Sequence, residues 1–238
     1  MALNIKIHKA DNRGKADYGW LKARYSFSFA NYFDPIRERF GVLRVLNDDI
    51  IDGGGGFDTH PHNNMEIITI PLKGALEHRD SMGNSSVIRE GEIQYMSAGS
   101  GVQHSERNFS DREPINLLQL WIFPKTKNTK PLYDQINLEG KRIQNSIQTI
   151  VSPEGGKDII KINQDAWLSL LNSDAGLKHK YELHKPDNGL FVFVIEGETV
   201  IGANIARHRD SVEIKGVEEI TLTINASSKL LLIEVPED

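Results

Sequence analysis

The sequence predicts an all-β protein, built as a sandwich or a barrel. Short apolar or alternating runs recur along the 238 residues and are separated by glycine-rich turns. This regular spacing of short strands is typical of antiparallel β architectures. The strand-like runs are residues 41–46, 66–72, 87–96, 115–123, 190–195, 199–205, 220–224 and 230–235.

Turns and helices complete this interpretation. Residues 80–84 (Asp-Ser-Met-Gly-Asn) and 196–198 (Glu-Gly-Glu) each lie between two strand-like runs, so both predict hairpin loops. The best helix signal is the amphipathic stretch 164–171, with Asn163 as its N-cap. Residues 34–40 predict one short turn of helix.

The chain divides into two β-rich halves of similar length. A polar segment at residues 125–131 follows the most apolar strand, so we expect one domain at 1–130 and a second at 131–238. Both halves carry a strand, a glycine-centred turn and another strand. No residue-by-residue repeat relates them.

Composition excludes several classes of function. The net charge is −5, and no run of Lys or Arg exceeds two residues, so direct binding of nucleic acid is not expected. The first 20 residues lack the apolar core of a signal peptide, and nothing approaches the ~20 apolar residues of a membrane span, so we expect a cytoplasmic protein. Cysteine is absent, so any metal must be bound by nitrogen and oxygen.

Two pairs of potential metal ligands stand out. On a strand, residues i and i+2 point to the same side, so His60 and His62 would present two imidazoles together. One such pair is weak evidence, because about 0.3 would arise by chance in a chain with eight histidines. His104 and Glu106 repeat the spacing on a later strand. Two pairs on facing strands can bind one ion.

The donor set indicates the kind of metal. Three neutral imidazoles and one carboxylate suit Fe, Mn, Co, Ni, Cu or Zn rather than Ca or Mg. Four protein ligands leave coordination positions for water and substrate, which is the arrangement of a catalytic site. The alternative is a set of surface histidines on strands, with a carboxylate as partner.

The spacing of these residues resembles that of the cupin superfamily. Glycines at 53–56 and 99–101 precede the two pairs and allow tight bends. The first cupin motif is matched by Gly54, His60, His62, Glu66 and Gly74, with one extra residue before the last glycine. The second is matched more loosely by Gly91, Gly101, His104 and Asn108, with Ser97 where proline is usual.

Within that superfamily the chain resembles the pirin family. The resemblance is specific over residues 1–125 and weaker beyond, at 191–197 and 230–236. The segments that carry it are Trp20, 24–29, 31–35, 43–49, 59–62, 76–83 and 98–106.

The pirin resemblance implies two cupin barrels with a single metal in the N-terminal one. It assigns the metal to His60, His62, His104 and Glu106, leaves out Glu66, and gives the C-terminal barrel no metal. Iron(II) is the first expectation, with Mn, Co, Ni, Cu and Zn as alternatives. The activity implied is quercetin 2,3-dioxygenation, in which Glu106 also serves as the catalytic base toward a flavonol hydroxyl and O₂ is the second substrate.

Other functions remain open. One is a non-catalytic, metal- and redox-dependent regulator that binds another protein. Another is a different cupin reaction, such as an isomerisation or a different dioxygenation. Which of these functions applies depends on the side chains that line the pocket, and the sequence does not reveal them.

Several further residues have more than one interpretation. Glu66 is expected to orient a ligand imidazole, although ligation or exposure is also possible. His78 is interpreted as a residue at a hairpin end, with a ligand role as the alternative. The aromatic set is expected to form core, with the lining of a substrate pocket as the alternative, and the C-terminal histidines are expected to be surface or turn residues. These sets are Tyr25, Phe27, Phe29, Tyr32 and Phe33, and His179, His184 and His208.

Overall fold

The computed structural model describes residues 4–237 and consists almost entirely of β-strands, which confirms the predicted fold class. One 3₁₀ turn, Ala10–Asn12, accompanies twenty strands in the described part. Within residues 4–237, no helix has the length and apolar character needed to cross a membrane. The strands are β1 (Asn4–His8), β2 (Gly14–Asp17), β3 (Leu21–Tyr25), β4 (Leu43–Ile51), β5 (Gly56–His62), β6 (Glu66–Lys73), β7 (Ala75–Asp80), β8 (Ser85–Arg89), β9 (Glu92–Ser97), β10 (Val102–Asn108), β11 (Ile115–Ile122), β12 (Leu132–Asn137), β13 (Ser146–Ser152), β14 (Ile160–Lys161), β15 (Trp167–Ser173), β16 (Lys178–Glu182), β17 (Asn188–Ile201), β18 (Asn204–Arg207), β19 (Ser211–Lys215) and β20 (Glu219–Pro236).

The N-terminal half consists of two sheets. A four-stranded sheet has the order β5-β10-β7-β8, and a seven-stranded sheet has the order β12-β9-β6-β11-β4-β3-β2. The hairpin predicted at residues 80–84 is confirmed, because β7 and β8 pair antiparallel on either side of it. Strands β4, β6 and β11 form the centre of the larger sheet and are buried along most of their length.

The C-terminal half is formed by one nine-stranded sheet that bends over itself. Its longest strands, β17 and β20, have 14 and 18 residues and pair with each other. The hairpin predicted at 196–198 is wrong, because these residues form a bulge within β17, where the register with β20 shifts. Gly197 has a φ of 89°, and a Cβ there would overlap Ser228. Glycine therefore allows the bend without ending the strand.

Each half contributes a strand to the sheet of the other. Strand β1 pairs with β19 in the C-terminal sheet, and β12 pairs with β9 in the N-terminal sheet. The division of the chain at residue 130 stays a prediction, and these two exchanges connect the halves across it.

The largest hydrophobic core lies between the two halves. Its side chains come from one face of the seven-stranded sheet and one face of the C-terminal sheet. Phe191 of the C-terminal half packs against Phe27 and Phe40 of the N-terminal half, with ring centroids 5.5 and 5.7 Å apart. Since aromatic side chains bury large apolar areas, this contact stabilises the association of the halves.

Both helix predictions are wrong. The stretch 164–171 enters strand β15, which pairs with β13 and β20. Leu168 packs into the core between the halves and Leu171 into the interior of the C-terminal half. A strand with two buried faces has no clean alternation, so its apolar spacing can imitate a helix. Residues 34–40 form only a turn, in which the Arg37 amide donates to the Asp34 carbonyl at 3.0 Å.

Candidate metal centre

Strands β5 and β10 place all four predicted ligands on one side of the four-stranded sheet. The two strands pair antiparallel with His104 opposite His60 and Glu106 opposite Phe57. A register shift lies between these two pairs. Because alternate side chains share a face, the residues two positions further on in each strand, His62 and Glu106, lie on the same side. The pairs are thus on directly adjacent strands.

The three histidines come together closely. The ring centroid of His60 is 4.4 Å from that of His104 and 4.9 Å from that of His62, and the His62 and His104 centroids are 4.9 Å apart. One potential ligand atom from each lies within 4.8 Å of the others. Glu106 meets the same distance criterion in a second group, with His104 and His78. The two groups share His104.

Several polar atoms of this centre are buried without a partner. Both ring nitrogens of His104 and the Oε1 atom of Glu106 are enclosed and make no hydrogen bond. The residues are 1% and 3% exposed. His60 instead hydrogen-bonds the Asp58 carbonyl through Nδ1 at 2.8 Å, which leaves Nε2 for another partner. A metal ion would satisfy atoms that otherwise carry an unfavourable desolvation energy.

Burial also sets the protonation of these groups. It lowers the pKa of His62 to about 4, with the neighbouring His60 contributing in the same direction. It lowers the pKa of His104 far below the ordinary value, again with His60 and His62 contributing. Both imidazoles are therefore neutral at pH 7, which is the form that coordinates metals.

A side chain from the opposite sheet holds Glu106. Gln119 on β11 donates from Nε2 to Oε2 of Glu106 at 2.9 Å. Its own Oε1 accepts a hydrogen bond from the indole Nε1 of Trp121 at 3.1 Å. This second bond fixes the orientation of the amide. Oε2 of Glu106 is thus anchored, while Oε1 stays available.

The centre opens onto a cavity of about 370 Å³. His60, His62 and Glu106 line it, together with Gln119 and Asp49. Its volume falls within the range of about 300–1,000 Å³ that is usual for small-molecule sites. A ligand in this cavity would contact the candidate metal ligands directly.

Aromatic rings surround the polar centre in a continuous series of contacts. Trp20 packs edge-on against Phe57 on one side, with centroids 5.1 Å apart, and Phe57 borders His60. On the other side, Trp121 lies 4.9 Å from His62 and 5.3 Å from Phe29. Flat apolar walls of this kind suit a planar aromatic ligand.

Comparison with known proteins identifies the family. The Pirin family model matches residues 6–122, and the model for the quercetinase C-terminal cupin domain matches residues 149–235. A quercetin 2,3-dioxygenase of Escherichia coli K12 is 38% identical over 98% of this chain and 99% of its own. The chain belongs to the pirin family.

Other pirins agree with this assignment. A pirin-like protein of Caulobacter vibrioides is 36% identical over 94% of this chain and 96% of its own. The crystal structure of the bacterial pirin YhhW from Escherichia coli in complex with nickel(II) superposes with a TM-score of 0.93 at 36% identity, covering 99% of this chain and 100% of that one. The prediction of two cupin barrels is confirmed.

One histidine of this pirin's centre, His78, stands outside the predicted ligand set. His78 is a hairpin-end residue as expected, but it is fully buried and its ring centroid lies 5.3 Å from that of His104. Its Nε2 contacts Asp80 Oδ2 at 3.1 Å, and its Nδ1 has no partner. Residues 76, 78 and 80 share the inward face of β7 by strand alternation. This alternation was the sequence signal that could have placed His78 in the interior.

One pocket residue, Gln119, was not predicted from the sequence. Gln119 lies in one of the most apolar strand-like runs, where a lone inward amide is itself a signal of function. For the aromatic set expected to form core, Tyr25 and Phe27 are buried in two separate hydrophobic clusters. Tyr25 and Phe29 line the cavity, whereas Phe27 packs between the halves and Phe33 is 71% exposed.

Glu66 does not have the predicted role of orienting a ligand imidazole. Its carboxylate accepts hydrogen bonds from the Tyr95 hydroxyl and, at 2.8 Å, from the Ser97 hydroxyl. The backbone amide of Asn163 approaches it from the C-terminal half at 3.4 Å. Glu66 therefore belongs to the contact between the halves.

Two of the C-terminal histidines occupy surface or turn positions as expected, whereas His179 is a half-buried residue of strand β16. His208 is exposed, His184 lies in a bend and stacks on Trp167, and His179 contacts the Ser173 hydroxyl at 2.7 Å. Within residues 4–237, the side-chain groups arranged at metal-binding distance lie in the N-terminal half.

Proposed function

We propose that this pirin is a metal-dependent dioxygenase that cleaves the 2,3-bond of quercetin-like flavonols. The observation that carries the proposal is a set of buried imidazole and carboxylate atoms, without hydrogen-bond partners, that faces an aromatic-lined cavity. The similarity to the quercetin 2,3-dioxygenase of Escherichia coli K12 over nearly the whole chain supports it.

The proposed ligands are His60, His62, His104 and Glu106. Nitrogen and carboxylate donors suit Fe, Mn, Co, Ni, Cu and Zn, and iron(II) is the ion that we propose. When bound, the metal would act as a Lewis acid on a hydroxyl oxygen and supply the redox chemistry that O₂ requires.

The residues of the chain then have distinct tasks. Oε1 of Glu106, which has no hydrogen-bond partner within the protein, would serve both as the ligand atom and as the acceptor of the flavonol 3-hydroxyl proton. Gln119 holds Oε2 through its 2.9 Å hydrogen bond and keeps the carboxylate aligned. Trp20, Phe57 and Trp121 contact the planar rings and exclude water from the reacting atoms.

Elemental analysis and oxygen uptake test this function together. We expect protein purified without added metal to contain a first-row ion, and iron-loaded protein to consume O₂ and release carbon monoxide with quercetin. Reconstitution with single metals is needed because nickel(II) binds such donors more tightly than iron(II), whichever ion supports turnover.

Substitutions separate the ligand role from the base role. His60→Ala should lose the metal, whereas Glu106→Gln should keep metal and lose oxygen uptake. His208→Asn and Glu113→Gln are matched controls at exposed positions and should change neither property. Metal-loaded protein that consumes no O₂ with quercetin or other phenols would contradict the proposal and favour a regulatory protein whose partner affinity depends on the metal.

A further inference from the structure

The cavity contains a second carboxyl group, Asp49, that the proposed reaction does not use. Asp49 lies on β4 with Ala23 and Leu117 as its cross-strand neighbours. It lines the same cavity as Glu106 and is 5% exposed. Its Oδ1 atom is buried without a hydrogen-bond partner.

The preceding residue shows what a structural carboxylate looks like in this strand. Asp48 projects to the other side of β4 and contacts Arg13 Nη1 at 3.2 Å and Asn116 Nδ2 at 2.9 Å. Arg209 approaches it at 3.6 Å. Asp48 is thus paired and Asp49 is not, although both are buried. A buried carboxyl group without a hydrogen-bond or ion-pair partner destabilises the fold, and such groups concentrate at functional sites.

Either protonation state of Asp49 can pair with a hydroxyl group. Burial raises the pKa of Asp49 to about 8, with the charges of Asp48 and Glu106 acting in the same direction and Arg13 opposing them. The carboxyl group therefore keeps its proton to a higher pH than an ordinary aspartate does. A neutral carboxyl group can both donate a hydrogen bond to a hydroxyl oxygen and accept one from a hydroxyl proton.

No side chain among the described residues hydrogen-bonds Oδ1 of Asp49. Tyr25, Phe29 and Trp121 line the same cavity, and Tyr25 packs on Phe29 with centroids 5.3 Å apart. Burial raises the pKa of the Tyr25 hydroxyl, and the charge of Asp49 acts in the same direction, but the two groups are not hydrogen-bonded. Gln119 is already engaged by Glu106 and Trp121. A hydroxyl group on a molecule that fills the cavity would supply the hydrogen-bond partner that Oδ1 of Asp49 lacks.

We propose that Asp49 recognises a second hydroxyl group of the aromatic substrate, distinct from the hydroxyl directed at Glu106. This inference rests on the proposed function and extends it to specificity. Asp49 selects polyhydroxylated over monohydroxylated ring systems, because a substrate without the second hydroxyl leaves its carboxyl group unpaired. It is a specificity-determining residue and takes no part in proton transfer.

Binding to the metal-loaded full chain without oxygen tests this proposal directly. The probes are quercetin and 3-hydroxyflavone, which keeps only the hydroxyl intended for Glu106. For the native chain we expect quercetin to bind about 5- to 10-fold more tightly, as one net hydrogen bond allows. Asp49→Leu should weaken quercetin binding by that factor and leave 3-hydroxyflavone unchanged. Asp49→Asn, which can still donate and accept, should retain most of the preference.

Thermal unfolding separates recognition from a structural role. Asp49→Leu should raise the Tm, since it replaces an unpaired buried carboxyl group by a side chain of similar size. Asp48→Leu should lower the Tm, since it leaves Arg13 buried without its partner. The exposed Asp52→Asn is the neutral control. A lower Tm for Asp49→Leu would indicate a structural residue and overturn the proposal.

The remaining outcomes distinguish this inference from the proposed function. If Asp49→Leu weakens the binding of both flavonols equally, or of neither, the proposed role of Asp49 is overturned while the dioxygenase function stands. If the native chain binds both flavonols but turns over neither, the dioxygenase function fails, and the ratio of affinities still decides the role of Asp49. If it binds neither, the proposed ligand class is wrong and both proposals fail.

Discussion

The two halves of this pirin share a layered β architecture but have opposite interiors. The C-terminal interior is aliphatic, and its side chains are almost completely enclosed. In the N-terminal half, the interior between the sheets carries imidazoles, a carboxylate and amides. Representative residues are Leu190, Val192, Ile214, Leu222 and Leu232 on one side of this comparison, and His78, Gln94, His104, Glu106 and Gln119 on the other.

One buried glutamate in each half shows the difference most clearly. Glu234 is fully buried, and it accepts hydrogen bonds from the Tyr181 hydroxyl at 2.9 Å, the His184 amide at 2.9 Å and the Asn188 amide group at 2.9 Å. Glu106 is 3% exposed and has one oxygen without any partner. Glu234 braces the loop that contains His184. Glu106 is arranged for a partner outside the protein.

The comparison shows how one architecture serves stability in one half and chemistry in the other. Buried apolar side chains contribute favourably to folding, whereas buried polar atoms without partners oppose it. The large core between the halves lets the aliphatic half stabilise the polar one. The N-terminal interior can therefore keep reactive groups that would not support a fold alone.

The largest expected effect is the loss of the metal on replacing a central ligand. We predict that His104→Leu lowers metal affinity by more than about 100-fold and abolishes turnover, because ligands contribute more than the residues that orient them. The Tm of the metal-free variant should equal or exceed that of the metal-free parent, since both His104 nitrogens lack partners. Metal titration and thermal unfolding after chelation measure the two effects. A clearly lower Tm for the metal-free variant would contradict the comparison.

The same type of change in the other half should act on stability alone. Leu232→Ala removes a fully buried side chain from the C-terminal interior, so the free energy of unfolding should fall by about 2–5 kcal/mol. Metal content and kcat should not change while the variant is folded. Denaturant titration and elemental analysis provide the measurements. Loss of metal at 25 °C would show that the halves are not separable in function.

A smaller effect is expected where the polar interior positions its own carboxylate. Gln119→Leu removes the hydrogen bond to Glu106, and we predict a fall in kcat of about 10- to 100-fold with KM little changed. Gln119→Glu would place a second carboxylate against Glu106 and should be worse. Gln103→Leu, at an exposed position on β10, is the control. Steady-state kinetics on metal-matched samples would contradict the prediction if Gln119→Leu retained native kcat.

The smallest effects should appear as opposite pH dependences of stability. Burial raises the pKa of Asp49 to about 8, so the folded state retains a proton that the unfolded state loses, and stability declines as pH rises from about 4 to 8. For Asp210, burial acts upward, but hydrogen bonds from Lys9, Arg207 and Ala10 outweigh it and lower the pKa. Its contribution is present above the unfolded pKa and is lost as pH falls through the lower folded value.

Neutral amides at the two positions should expose these opposite slopes. Asp49→Asn should remove the decline between about pH 4 and 8, and Asp210→Asn should destabilise by about 1–2 kcal/mol at pH 7 and by progressively less below about pH 4. Free energies of unfolding measured across pH 2–9 test both. For each variant, the difference in free energy of unfolding from the parent is plotted against pH. If these two differences changed with pH in the same direction, the prediction of opposite behaviour at Asp49 and Asp210 would be wrong.

The sequence was sufficient for the features that depend on local alternation. The runs at 66–72 and 115–123 match β6 and β11, and the 80–84 hairpin lies where it was predicted. The run at 87–96 instead covers the turn between β8 and β9, and the runs at 220–224 and 230–235 belong to one strand, β20. Strand spacing alone brings His60 beside His62 and His104 beside Glu106. The ligand assignment itself came from the pirin resemblance and stays a proposal. The resemblance also anticipated the family and its two cupin barrels, which the family models confirm.

Only the tertiary structure decided which face of each strand became the interior and which partners met there. Glu66 lies on the face of β6 that packs toward the C-terminal half, whereas Thr69, on the opposite face, lies directly across from Gln119. Gln119, His78 and Asp49 reach one site from three strands that are far apart in the chain. Period-two alternation fixes which side chains share a face, because it depends on one strand alone. Cross-strand register and sheet packing depend on the whole chain, so the lining of the cavity had to await the fold.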